Sequence, residues 1–303
     1  YQGDAEKWLK LAYGLKARYT MHLLKRSANK DADMEKVLEY VNNSFESAEE
    51  QAAFDVYDAN NINPLYGFFV ARAGLGASES MRSKLAEYND PRLSRAFITK
   101  QGTSGKEQAP GTADNAVYAP NGTPEQGTSK YGTSLFMYSI SAPTLLLSYH
   151  ELKFLEAEAL CRLERDAKSA LKDAVVAGLL NAENSFTISR KELGKTLINA
   201  ASSITEAEAE SYFDNTIEAK YTAEPLKTTM TQKYFALWGA SGEATESYND
   251  VRRMKGLGEN FIELKNPNSF PLRCPYGNSD TTTNAEVKAA YGNGQSVSYT
   301  HLR

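Results

Sequence analysis

The chain has 303 residues, a formal net charge of -4 at pH 7 and 41% hydrophobic residues. This apolar content is enough for the core of one large helical domain or of two ordinary domains. Lysines and arginines are scattered along the chain, so the basic stripe of a nucleic-acid-binding protein is missing and we expect no such partner. No segment approaches the roughly 18 consecutive apolar residues of a transmembrane helix.

The first two predicted elements form a helical hairpin. Asp4 is placed to cap a helix that runs to about Arg26, and a second helix is predicted from Asp31 to about Phe45. Trp8 falls on the apolar stripe of the first helix, so we expect it in the core. Because the sequence enters a helix almost at once and no signal peptide opens it, we expect residues upstream of Tyr1 in the complete protein.

The middle of the chain is predicted to be rich in loops. Residues 55–69 combine Asn, Pro, Tyr and Gly and indicate irregular structure, and a short helix follows at about 80–88. Residues 101–133 hold six glycines and three prolines without an apolar period, which predicts a long loop insertion. Weak alternation of apolar residues over 134–141 predicts a short strand.

A helix start with a recognisable pattern lies at Ser148. Ser148 and Glu151 have the spacing of a capping box, in which the Ser hydroxyl and the Glu carboxylate each accept a hydrogen bond from a backbone amide. An apolar stripe follows at helical spacing, and after a short turn an alanine-rich stripe over 167–177 indicates a second helix. Such a pair is typical of a tetratricopeptide-type hairpin, which packs on neighbouring hairpins.

The last part of the chain is predicted to continue the helical scaffold. Two further capping boxes predict a second hairpin with helices that run to about residues 201 and 217, namely Ser189 with Glu192 and Thr205 with Glu208. Helices are also predicted at about 226–237 and from Ser241 to near Gly256, and residues 257–303 as a loop-rich wrap. The expected fold is a single, mainly α domain over 1–303, a tetratricopeptide-like scaffold with long irregular loops and minor β.

Candidate catalytic and metal-binding residues have weak support. The two cysteines, Cys161 and Cys274, are far apart, and no His-x-x-x-His pair occurs, so we expect no metal and no cofactor. Glu151, Glu156 and Glu158 are near in sequence, as the two carboxylates of a glycoside hydrolase must be near in space. However, Glu151 has a capping role, and Glu156 and Glu158 point to different sides of the helix. We expect no enzymatic activity.

Several sequence blocks resemble, in order, the signatures of the SusD/RagB family of outer-membrane lipoproteins. They are residues 1–18 with the Gly-Asp, Trp8 and Leu-x-x-Arg pattern, 63–66 (Asn-Pro-Leu-Tyr), 89–93 (Asn-Asp-Pro-Arg-Leu), 148–159 and 232–253. Taken together, they correspond to the later part of a typical member. The resemblance implies the SusD-like version of the predicted helical fold.

The family resemblance also implies a location and a partner. Members sit on the extracellular face of the outer membrane, held by a lipid on an N-terminal cysteine that this sequence does not contain. They bind an oligosaccharide or polysaccharide and deliver it, without cleavage, to a SusC-like TonB-dependent transporter. A peptide-binding member of the same uptake class and a helical-repeat protein-interaction adaptor are the alternatives.

Sugar binding needs flat aromatic faces for C–H groups and polar side chains for hydroxyls. Two loop regions combine tyrosines with asparagines, and we expect the ligand there. The predicted ligand-binding residues are Tyr57, Asn61, Tyr66, Tyr118, Asn121 and Tyr131. The alternative is that these side chains anchor their own loops on the helical body.

Overall fold

The computed structural model describes residues 1, 3–72, 75–101, 107–110, 117–122, 130–266 and 276–292. The chain divides into two compact units, Tyr1–Glu263 and Leu264–Arg303. Cys274 and His301 lie outside the described residues, as does much of the predicted loop insertion 101–133. The assignment of residues 1–303 to a single domain stays a prediction.

The first unit is mainly α-helical, as the sequence predicts. Its α-helices are α1 (Ala5–His22), α2 (Lys30–Asn42), α3 (Pro64–Arg72), α4 (Glu79–Glu87), α5 (Tyr149–Arg162), α6 (Lys168–Leu193), α7 (Glu206–Tyr212), α8 (Glu218–Ala223), α9 (Pro225–Ala236) and α10 (Ala244–Leu257). Its strands are β1 (Ala52–Phe54), β2 (Phe97–Gln101), β3 (Glu107–Pro110), β4 (Thr133–Ser134) and β5 (Thr144–Leu147). Short 3-10 segments lie at Leu24–Arg26, Ala48–Glu50, Leu135–Tyr138 and Gly194–Thr196. In the described ranges, no helix has the length and apolarity needed to cross a membrane.

Local capping residues fix the starts of three helices. The Asp4 carboxylate accepts hydrogen bonds from the first amides of α1 at 3.0 and 3.2 Å, and Ser148 Oγ accepts one from Glu151 N at 3.0 Å. Thr205 Oγ1 accepts one from Glu208 N at 3.2 Å at the start of α7. Each bond satisfies a helix-start amide that has no partner within the helix, so the sequence pattern alone predicts these three starts.

The prediction that Glu151 completes the capping box at Ser148 is wrong. The Glu151 carboxylate does not return to the Ser148 amide, because it accepts hydrogen bonds from Arg18 of α1 instead. The Ser148 N–H donates to Glu243 Oε1 at 3.0 Å. A buried ion pair between distant helices has therefore replaced the local contact.

Helix α5 lies at the centre of the first unit because it is buried on two sides. Leu152 and Leu155 pack in an apolar cluster with α1 and α2, whereas Phe154 and Ala157 pack in a second cluster with residues of α6 and α9. Gly178 of α6 allows a close approach, since a Cβ built there would lie 2.9 Å from Ala236 Cβ. The predicted hairpin of α5 and α6 is present, and it forms the body of the core.

Two predicted helix boundaries in this region are wrong. The capping box at Ser189 does not start a helix, because α6 runs as one helix of 26 residues from Lys168 to Leu193. Ser189 is buried, and its hydroxyl donates to the Ser185 carbonyl at 3.0 Å rather than capping. The helix predicted to end near Ile217 continues through a π-helical turn, Phe213–Ile217, into α8.

The loop-rich middle also differs from the sequence prediction. Residues 64–72 form α3, because Asn63 Oδ1 accepts a hydrogen bond from Leu65 N at 2.8 Å and Pro64 fits the first helical turn. The strand predicted over 134–141 is wrong: β4 ends at Ser134, and a 3-10 segment follows. Ser134 Oγ accepts a hydrogen bond from Phe136 N at 3.3 Å, which favours the turn over extended backbone.

The strands form two small antiparallel sheets. β1 pairs with β5, with Phe54 opposite Thr144. β2 lies between β3 and β4, with Ile98 opposite both Pro110 and Thr133. These pairings are long-range contacts, which short apolar runs in the sequence do not reveal.

The predicted burial of Trp8 and the predicted start of α10 at Ser241 are wrong. Trp8 is 55% exposed rather than buried, since α1 turns its other face, with Leu11 and Met21, towards α2 and α5. α10 ends at Leu257, near Gly256 as the sequence predicts, but the glycine that ends it is Gly258, whose φ of 81° is the left-handed conformation that glycine adopts without strain. Ser241 does not cap α10, whose preceding residue is Glu243.

The second unit contains two short helices within its described residues. They are α11 (Asn278–Thr283) and α12 (Ala285–Tyr291). Asn284 Oδ1 accepts hydrogen bonds from the first amides of α12 at 3.0 and 3.2 Å. The sequence predicted only loops here, because neither helix is long enough to show an apolar period.

Candidate functional site

The first candidate site is an exposed aromatic and polar surface, called here the 54–61 surface. It consists of residues 54–61 together with Thr144 and Leu146 of β5. Phe54 and Leu146 on the paired strands are 43% and 57% exposed, and Val56, just after β1, is 66% exposed, so three large apolar side chains face solvent here. An exposed aromatic ring beside polar side chains is the combination that binds a sugar ring.

The backbone of this surface is held by a tight turn. Asp58 Oδ1 accepts hydrogen bonds from the amides of Asn60 at 2.8 Å and Asn61 at 2.7 Å, and these bonds lower the pKa of the Asp58 carboxyl. Asn61 Nδ2 donates to the Val56 carbonyl at 3.4 Å. The turn therefore presents the exposed Asn60 and Asn61 amides from a fixed backbone rather than from a free loop.

Tyr57 links this turn to the sheet. Its hydroxyl shares a hydrogen bond of 2.8 Å with Thr144 Oγ1, and its ring meets the Phe54 ring edge to face at 4.9 Å. Tyr57 and Asn61, both predicted from the sequence, thus lie on one surface. Tyr66 is on α3, where its hydroxyl donates to Glu192 Oε1 at 3.1 Å.

The other three predicted residues lie on a second surface at the start of α4. Asn121 Oδ1 accepts a hydrogen bond from Ser78 Oγ at 3.0 Å, and the half-buried Tyr118 ring meets Phe97 edge to face at 5.2 Å. Tyr131 is only 8% exposed, so little of its ring is available to a ligand. The geometry of these three residues therefore fits loop anchoring better than that of Tyr57 and Asn61 does.

Sequence reasoning missed Phe54, Val56 and Leu146. Phe54 follows two alanines, and Leu146 is one of three successive leucines, so neither stands out in the local pattern. Only the pairing of β1 with β5 shows which of these side chains are exposed. The sequence feature that pointed to this surface was the neighbouring cluster of Asn and Tyr residues.

The most recognisable motif residues form a buried ion-pair network rather than a ligand site. Glu158 accepts hydrogen bonds from Arg162 at 2.7 Å and from Arg253 at 2.8 Å, and Arg253 also donates to Asp250 at 2.8 Å. Lys233 Nζ lies 2.8 Å from the same aspartate, so the network joins α5, α9 and α10. The ion pairs therefore link α5, α9 and α10 inside the core.

The network also bears on the glutamates considered for catalysis. Glu151 and Glu158 are fully buried and paired with arginines, so neither carboxylate is placed to touch a substrate. Burial alone would raise the pKa of Glu158, but the adjacent Arg253 and Arg162 outweigh it and hold that pKa well below its ordinary value. Glu156 instead pairs with Lys153 nearer the surface. Over the part of the chain that the structure describes, no group of three His, Cys, Asp or Glu side chains is arranged to hold a metal ion.

Comparison with known proteins identifies the family. A family model described as starch-binding, associating with the outer membrane, matches residues 1–276. The chain belongs to the SusD/RagB family. A solved SusD/RagB family protein from Bacteroides thetaiotaomicron is 65% identical, with a TM-score of 0.90 over 97% of this chain and 63% of that one. No curated protein matches significantly.

Two more distant solved structures share the fold. One is a chitin-binding protein, 20% identical with a TM-score of 0.64 over 97% of this chain and 63% of that one. The other is a SusD homolog from Bacteroides fragilis, 20% identical with a TM-score of 0.62 over 97% of this chain and 66% of that one. This chain thus spans less than two thirds of the length of these solved relatives, with coverage between 63% and 66%.

Proposed function

We propose that this protein is a cell-surface glycan-binding protein of a polysaccharide-uptake system. It binds an oligosaccharide and passes it, uncleaved, to a SusC-like TonB-dependent transporter. The description of its family as starch-binding and associated with the outer membrane supports this function. An N-terminal lipid anchor outside the present sequence would hold the protein on the extracellular face.

The 54–61 surface is the observation that carries the proposal for a site. Phe54 offers an exposed ring to the apolar face of a sugar, and Asn60 and Asn61 offer amide groups that both donate and accept hydrogen bonds to hydroxyls. The Asp58 turn and the Tyr57 contact with Thr144 hold these groups in place, which lowers the entropy cost of binding. The surface is open, which suits part of a long polymer rather than an enclosed monosaccharide.

Non-cleavage is part of the same proposal. A glycoside hydrolase needs two carboxylates that reach the scissile bond. The two motif glutamates of α5, Glu151 and Glu158, are buried in ion pairs. The 54–61 surface has two carboxylates, Asp55 and Asp58, and that of Asp58 is held in the turn by the Asn60 and Asn61 amides. The chemistry on this surface therefore suits recognition.

The test is calorimetric titration against soluble starch, chitin oligosaccharides and other glycans, with chromatography of each mixture to detect products. We expect saturable binding to one glycan class, unchanged products, and a loss of about 2- to 12-fold in affinity for Phe54→Ala, since an aromatic contact contributes about 0.5–1.5 kcal/mol. Tyr118→Ala with Tyr131→Ala tests the second predicted surface in the same assay. Phe68→Ala is the matched control, because Phe68 is 51% exposed on α3.

Each other outcome is informative. Equal losses for Phe54→Ala and Phe68→Ala would remove the 54–61 surface as the site, and a loss only in the Tyr118 and Tyr131 variants would move the site to α4. Binding to peptides alone would replace the glycan with a peptide ligand. Cleaved products would overturn the proposal of a non-enzymatic protein.

A further inference from the structure

A groove of about 440 Å³ lies along α6 and shares no residue with the 54–61 surface. Its floor is formed by the half-buried Val176, Ala177 and Leu180, and Asn181 and Asn184 continue along the same helix. From Val176 to Asn184 the helix rises about 12 Å, the length of about four extended residues. The floor is therefore an apolar strip flanked by amide groups.

One wall of the groove carries two unpaired carboxylates. Glu206 and Glu210 are exposed and one helical turn apart on α7, and neither side chain makes a hydrogen bond or ion pair within the described ranges. Like charges at this spacing repel each other. The nearby Lys172 offsets only part of their charge, because its Nζ is bonded to both oxygens of Asp214 at 2.8 and 2.9 Å and it interacts with Glu210 only by longer-range attraction.

The other polar side chains that line the groove are already partly satisfied by contacts within the protein. Gln51 Oε1 accepts a hydrogen bond from Tyr149 N at 3.2 Å, which fixes the amide at the groove edge. Asp173 lies 3.4 Å from Lys153 Nζ, so its charge has a partner. The charge balance of the groove is therefore negative, and the excess lies on the α7 wall.

We propose that this groove binds a short peptide segment of a partner protein, one that carries Lys or Arg on either side of an aliphatic side chain. The aliphatic side chain would pack on Val176 and Leu180, and a cation would lie against Glu206 and Glu210. The amides of Asn181 and Asn184 both donate and accept hydrogen bonds, as a peptide backbone requires. The lining includes one aromatic side chain, the half-buried Tyr149, but the floor itself is aliphatic and the α7 wall carries two carboxylates, so the charge of the groove favours a cationic peptide over a neutral sugar. This site is independent of the proposed glycan site.

The test uses the whole chain and a fluorescent eight-residue peptide of alternating Lys and Leu, with a peptide of alternating Glu and Leu as its charge-reversed counterpart. Fluorescence anisotropy is measured at ionic strengths of about 0.01 M and 0.1 M, where charges are screened beyond about 30 and 10 Å. The double variant Glu206→Lys with Glu210→Lys reverses the wall. Glu39→Lys with Glu87→Lys makes the same net-charge change at exposed positions of α2 and α4.

We expect the Lys peptide to bind and the Glu peptide not to bind. The Glu206 and Glu210 reversals should weaken binding about tenfold or more at the lower ionic strength, whereas the control pair should change it less than about twofold. Leu180→Ala should weaken binding at both ionic strengths, because its contribution is not screened. Equal effects of the two charge-reversed pairs, equal binding of both peptides, or no binding of the Lys peptide would each overturn the proposal.

Discussion

Glu158→Gln should be strongly destabilising, although the two side chains have nearly the same shape. The Glu158 carboxylate is fully buried and accepts hydrogen bonds from Arg162 at 2.7 Å and from Arg253 at 2.8 Å. Glutamine would remove the negative charge from between two guanidinium groups and replace one acceptor with a donor. Breaking a buried charge pair by removing one partner costs about 3–5 kcal/mol.

That loss is a large part of the roughly 5–15 kcal/mol by which a domain is usually stable. It should lower the melting temperature by about 10 °C, since each kcal/mol shifts it by about 2–4 °C in proteins of this size class. Urea denaturation followed by circular dichroism measures the free energy of unfolding directly. The control is Glu156→Gln, two positions away on α5, which removes a partly exposed pair with Lys153 and should cost less than about 1 kcal/mol.

The pH dependence gives a second check on the same residue. The pKa of Glu158 is lower in the folded state than its ordinary value of 4.5, so its ionised form stabilises the fold above that pH. The contribution is lost as the pH falls below 4.5 towards the folded-state pKa, because the unfolded chain then binds a proton first. The difference between wild type and Glu158→Gln should therefore shrink in acid. Equal costs for the two Gln variants, or a difference that is constant with pH, would refute the reasoning.

Two further predictions concern the core of the first unit. Gly178→Val should cost about 1–3 kcal/mol in the free energy of unfolding, because a Cβ there would lie 2.9 Å from Ala236 Cβ. The control, Ala12→Val on the exposed side of α1, should cost less than about 1 kcal/mol. Similar costs for the two variants would show that α6 and α9 can move apart freely. Burial raises the pKa of the Cys161 thiol, so in a Cys274→Ser variant it should react with a disulfide reagent much more slowly than free glutathione at neutral pH and rapidly in urea. A fast reaction of the folded protein would contradict the packing of Cys161 beside Thr229.

The sequence alone predicts those features that depend on neighbours a few residues away. Asp4, Ser148 and Thr205 cap helices because their side chains bond amides two or three positions ahead, and these contacts form whatever surrounds the helix. The apolar stripe that follows Ser148 and the alanine-rich stripe over 167–177 also predict the hairpin of α5 and α6. The sequence blocks at 148–159 and 232–253 indicate the family, although the sequence does not show that their charged residues meet.

The tertiary structure decides the features that depend on distant contacts. Ser189 has the same local pattern as Ser148, yet it lies inside α6, where its hydroxyl contacts Ser139 at 2.6 Å. Glu151 pairs with Arg18, 133 residues away in sequence, instead of completing its capping box. Trp8 lies on a correctly predicted helix but is exposed, because helix packing selects which side of the stripe is buried. The sequence predicts Tyr57 and Asn61 as ligand-binding residues, and this stays a prediction. Only the pairing of β1 with β5 shows that Phe54 and Leu146 lie on the same surface as these two residues.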